Sequence, residues 1–144
     1  MGEDPLERVA SHFARYERPT DFISRYHCDE CAEHFLTLLH VQVADLTWAH
    51  VGDGAWDPSC MLAPDAFKYY FPALARIADA DREGWLDMLI ARLPLHYTAT
   101  FTREDWLVVQ DLLEYWWLDE GLSQFVRDGI ERGLDACRRG ARPA

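Results

Sequence analysis

Phe101-Thr102-Arg103-Glu104-Asp105-Trp106-Leu107-Val108-Val109-Gln110-Asp111-Leu112-Leu113-Glu114-Tyr115-Trp116-Trp117-Leu118 carries the most explicit folding instruction in the chain. Thr102 with Asp105 three residues on matches a capping box, in which two side chains satisfy the free N–H groups of a helix start. Phe101 and Trp106 stand at the positions of a hydrophobic staple across that start. The pattern predicts a helix from Arg103 to about Leu118. Trp106, Val109, Leu113, Trp116 and Trp117 make its broad core face. The far side carries Glu104, Asp111 and Glu114, but also Leu107, Tyr115 and Leu118. A helix apolar nearly all round is either central to a bundle or meets a second surface, and both readings stay open here.

Working outward, the neighbouring stretches repeat helical signals. Asp4-Pro5-Leu6-Glu7 places an acceptor at the cap and Pro at the first helical position, followed by Val9, Ala10, Phe13 and Ala14 at helical spacing up to Pro19. Ala63-Pro64-Asp65 opens another helix, with Phe67, Tyr70, Phe71, Leu74 and Ile77 on one face and a kink or break expected at Pro72. Asp81 is a cap for a run through Trp85, Leu86, Leu89, Ile90 and Leu93, stopped by Pro94. Beyond Gly121, Leu122, Phe125, Gly129, Ile130, Gly133, Leu134 and Cys137 trace one face of a last helix. From Val41 to Met61 the periodicity weakens, leaving room for a token β-hairpin near residues 41–56 or a long packed loop. The expected fold is all-α: one helical domain of five to seven helices over residues 1–137, then a short basic tail at 138–144.

Composition narrows the function classes. The net charge of −11, from 25 acidic against 14 basic residues, opposes nucleic-acid binding, which needs a basic footprint. No apolar run approaches the ~20 residues of a membrane span. The amino terminus has no apolar leader segment, so a cytoplasmic location with reduced thiols is expected for the four Cys. No Gly-rich phosphate loop, nucleophile elbow or paired acid and base stands out, and an enzyme has the least support. Tyr69-Tyr70-Phe71-Pro72 reads as core rather than as an aromatic binding patch.

One stretch concentrates potential chemistry: His27-Cys28-Asp29-Glu30-Cys31-Ala32-Glu33-His34. Placed on a helix starting near Asp29, Cys28 and Cys31 share an arc with Phe35, Leu38 and Leu39, where small buried hydrophobes belong. The competing reading is a zinc site with Cys28, Cys31 and His34 as ligands, from the C-x2-C spacing and a His one turn later. His27 and His34 lie about 10 Å apart along a straight helix at ~1.5 Å per residue, too far to share one ion. A complete site would borrow from Cys60, His50, His40, His96 or Cys137. Redox chemistry is disfavoured, since Asp29 and Glu30 would raise the thiol pKa values.

This stretch, followed by Trp56-Asp57-Pro58 and by Phe67-x-Tyr69-Tyr70-x-Pro72-Ala73-Leu74-Ala75-Arg76, resembles a family of small bacterial proteins known as a domain of unknown function. The resemblance spans about residues 19–78. It implies a bacterial origin, and it carries no chemistry and no catalytic role onto any position.

The functional expectation therefore rests on charge and on the 103–118 helix. From Arg103 to Gly121 one Arg faces six carboxylates. Acidic charge interleaved with Tyr and Leu suits a cationic protein surface. A non-enzymatic acidic module that binds a basic protein, as an inhibitor or immunity-type protein does, is the leading expectation. Glu104, Asp111, Glu114, Tyr115 and Leu118 are its contact residues. The alternative is a zinc-binding protein using His27-Cys28-x2-Cys31-x2-His34; otherwise no cofactor is expected.

Overall fold

Each helix start among the described residues uses a device written locally in the chain. The computed structural model describes residues 2–20, 40–47 and 62–143. Helix α1, Pro5–Phe13, begins where the Asp4 side chain accepts from the Leu6 N–H at 2.8 Å. It stops six residues short of Pro19, with Tyr16 N–H turning back to the Phe13 carbonyl. Helix α2, Pro64–Ala80, also starts on a proline. The Asp81 side chain accepts from Gly84 N–H and opens a π turn, Arg82–Leu86, that runs into α3, Asp87–Ala91. Thr102 and Asp105 form the complete capping box of α4, Arg103–Trp117. Ser123 caps α5, Gln124–Gly140, whose last turn contains Arg138 and Arg139.

The architecture is all-α, with no strand among the described residues. Residues 43–45 form a 3-10 turn, and the 48–56 part of the region left open for a hairpin lies outside the described residues. Helix α4 sits between α1 and α5, α1 also packs on α2, and α5 also packs on α3. The staple residue Phe101 joins these layers. Its ring centroid lies 5.2 Å from Trp106, 5.7 Å from Phe13 and 5.9 Å from Phe71. A motif that sets a local helix entry thus also supplies the middle of an aromatic cluster shared by α1, α2 and α4.

Of the kink or break expected at Pro72, the break does not occur. Helix α2 continues through it, although a proline deprives the carbonyl four residues back of its partner, at a cost of ~3 kcal/mol. Buried Phe67, Tyr70 and Phe71 before Pro72, and Leu74, Ile77 and Ala78 after it, press both halves against one core. That shared packing outweighs the lost hydrogen bond. In α5, Gly129 and Gly133 allow close approach: a Cβ at Gly133 would stand 2.7 Å from Ile90 Cγ2 and 2.9 Å from Leu113 Cδ1. No described helix is long and apolar enough to cross a membrane.

Candidate functional site

At about 100° per residue, Glu104, Leu107, Asp111, Glu114, Tyr115 and Leu118 fall within one arc of α4 about 100° wide. The core side of the same helix buries Trp106, Val108, Val109, Leu112, Leu113 and Trp116. Trp117, expected in the core, is only half-buried. It lies on the edge facing α5, where the Arg127 guanidinium stands 4.1 Å from its ring centroid. The outer arc leaves Leu107 and Tyr115 37% exposed and Leu118 76% exposed. Large apolar side chains this open, gathered on one face of one helix, form a surface rather than scattered exceptions.

The expected contact residues are not equivalent in this setting. Glu104 is exposed in the first turn of α4, where the helix dipole favours its charge. Asp111 is paired with Arg8 of α1, so part of its charge is already answered within the fold. Glu114 is exposed and accepts from Gln110 Nε2 at 3.2 Å. The Tyr115 ring has the Arg82 guanidinium 5.5 Å from its centroid. Leu118 ends the helix.

The turn beyond Leu118 is held from several sides. Asp119 accepts from Arg82 Nη1 at 2.8 Å and from Gly121 N–H at 2.9 Å, and its carbonyl accepts from Arg127 Nη1 at 3.0 Å. The Gly121 N–H, and then Arg82, hold the Asp119 carboxyl below its ordinary pKa. Ser123 N–H donates to Glu83 at 2.7 Å. Arg82 also bonds Asp79, which accepts from Trp116 Nε1 at 2.9 Å. The turn is therefore an ordered platform.

On its far side stands Phe125, which the periodicity placed in the core but which is 66% exposed. Val126, Gly129, Ile130, Gly133, Leu134, Ala136 and Cys137 form the buried side of α5 instead. Phe125 lies about 100° from the centre of that arc, in the first turn, with Val126 taking the inward place. Tyr115 and Leu118 before the turn and Phe125 after it are thus all exposed, which the periodicity of α5 does not reveal for Phe125.

Deeper in the fold, Asp105 is wholly buried. Its Oδ1 accepts from Tyr16 OH at 2.5 Å and lies 2.6 Å from His12 Nε2, while Oδ2 accepts from Thr102 N–H at 2.8 Å. Burial alone would raise the Asp105 pKa, but the bonds from Tyr16, Thr102 and His12 outweigh it and hold the carboxyl below its ordinary value. Burial and the Asp105 bond push Tyr16 up to about 12. Oδ1 ties α4 to His12 of α1 and to Tyr16 just beyond it, while Oδ2 closes the capping box of α4 itself, so one buried carboxylate clamps the two segments together. The only sequence sign of it is the capping-box position of Asp105.

The proposed zinc ligands Cys28, Cys31 and His34 lie outside the described residues, as do His27, His50 and Cys60. Among the described residues no three His, Cys, Asp or Glu side chains are placed to hold a metal ion. Of the residues such a site would borrow, His40 and His96 are exposed, and Cys137 is buried in α5 with its thiol pushed by burial to about 12. Comparisons of the chain with protein-family models, with curated proteins and with solved structures found no match.

Proposed function

We propose that the protein is a non-enzymatic binding module that docks a basic protein partner, in the manner of an inhibitor or immunity protein, through the outer face of α4 and the adjoining hairpin end. One observation carries this reading: Leu107, Tyr115 and Leu118 are exposed on a single arc of α4 with Glu104 and Glu114 interleaved. An apolar patch with an acidic border is the form in which buried anchors supply affinity while charge supplies rate and partner choice. The overall −11 charge adds long-range attraction for a cationic surface.

The pairing of Asp111 with Arg8 shifts the rate-setting role onto Glu104 and Glu114. The test is capture of a partner from the native host, followed by binding kinetics at two salt concentrations. Glu104→Lys with Glu114→Lys should slow association about 10-fold at low salt, with the difference shrinking as the Debye length falls from ~30 Å at 0.01 M to ~10 Å at 0.1 M. Leu118→Ala and Tyr115→Ala should mainly speed dissociation. An acidic partner, or association indifferent to salt and to the charge reversals, would refute the reading.

A further inference from the structure

Beside the exposed arc of α4 runs a groove of about 490 Å³ between α4 and α5, lined by Glu114, Trp117, Glu131, Leu134, Asp135 and Arg138. Glu114 belongs to both, so the groove continues the proposed docking face. We infer that this groove receives an arginine side chain of the partner, an assignment that rests on the partner being basic.

The chemistry of the lining selects the occupant. Trp117 and Leu134 are apolar surface for the methylene stem of a long side chain. Arg138 is matched with Asp135 at 2.9 Å, whereas Glu114 and Glu131 form no ion pair among the described residues. Among the lining residues two carboxylates, on different helices, are therefore left over, with Arg127 the further cation placed against Trp117. Among the described residues no three His, Cys, Asp or Glu side chains are placed to hold a metal ion, and the apolar wall of Trp117 and Leu134 suits an organic cation. A guanidinium fits better than an ammonium. It is planar and its forked donors can address two separated carboxylates, while an ammonium is a more strongly hydrated point charge. The Trp117 ring already carries the Arg127 guanidinium 4.1 Å from its centroid, so the indole serves the incoming side chain as apolar wall for its stem and the two carboxylates take its head group.

The probe is N-acetyl-arginine methylamide, titrated at low salt into the full chain while NMR follows the Trp117 indole N–H, assigned with Trp117→Phe. The lysine and citrulline counterparts serve as controls. Saturable shifts at Trp117 and at the amides of residues 131–135 are expected, with a Kd of roughly 1–10 mM. Citrulline, which has the shape without the charge, should bind at least about 5-fold more weakly. Glu114→Gln with Glu131→Gln should weaken the arginine probe by about 5-fold, in the range for exposed ion pairs. Both positions are exposed, so the variant should unfold at the same urea midpoint as the parent. Shifts that do not saturate, equal binding of citrulline, or indifference to the double substitution would overturn the assignment. A basic partner that depends on Leu118 but not on Glu114 or Glu131 would overturn the groove assignment alone. Failure of salt-dependent association would strike the docking reading instead.

Discussion

Replacing Asp105 with Ala tests whether the buried clamp, rather than helix propensity, holds α1 on α4. The side chain is completely enclosed and engages Tyr16 OH, His12 Nε2 and Thr102 N–H at 2.5, 2.6 and 2.8 Å. A hydrogen bond to a charged group is worth about 1.5–3 kcal/mol, so three set a ceiling well above the net effect. Tyr16 is half-buried and Thr102 exposed, so water can re-partner two of the donors once the carboxylate is gone. The His12 side chain is only 10% exposed and has less relief. The bond from the Asp105 backbone N–H to Thr102 Oγ1 survives the substitution, and the expected cost is about 3–4 kcal/mol, within the range for breaking a buried polar pair. That is a large part of a typical 5–15 kcal/mol stability. Urea unfolding followed by tryptophan fluorescence measures it.

Tyr16→Phe should cost about 1 kcal/mol in the parent and clearly less in the Asp105→Ala background, because the two groups share one bond. The pH dependence follows from the direction of the shift. A folded-state pKa below the unfolded value means stability fully present above the ordinary carboxylate range and lost as pH falls through the lower, folded value. Asp105→Asn should therefore flatten the acid limb of the stability curve. A cost for Asp105→Ala below about 0.5 kcal/mol, or equal costs of Tyr16→Phe in both backgrounds, would refute the clamp.

Other perturbations read other parts of the fold. A Cβ at Gly140 would lie 2.2 Å from Trp106 Nε1, so Gly140→Ala must displace a rigid indole and should cost about 1–3 kcal/mol, seen as a lower urea midpoint with altered tryptophan emission. Cys137, with its thiol pushed from 9.0 to about 12, should have about a thousandth of the ordinary thiolate fraction. Peptide mapping after iodoacetamide treatment should find it labelled only once urea unfolds the chain. Elemental analysis of protein made without a His-tag or chelator is expected to return substoichiometric zinc, unchanged in Cys31→Ser. One zinc per chain, lost in that variant, would establish the Cys28, Cys31 and His34 site instead.

What the sequence alone determined is local. Capping, staple geometry and helical periodicity act across three to five residues, so the starts of α1 and α4 could be read directly, and Trp106, Val109, Leu113 and Trp116 of the buried face with them, whereas Asp105, Val108 and Leu112 are buried because neighbouring helices widen that face. The outer arc of α4 was equally legible, because a helix sorts its residues by angle alone. What surrounds that arc depended on tertiary structure. Asp111 meets Arg8 across 103 positions, and Asp105 meets His12 across 93. No local pattern encodes partners at such separations. Pro72 stays helical because packing on both sides of it exceeds a local penalty. Phe125 turns outward because α5 buries a narrower arc than its apolar residues span. The acidic groove between α4 and α5 exists only because two consecutive helices fold back on each other at the Leu118–Ser123 turn and pack side by side.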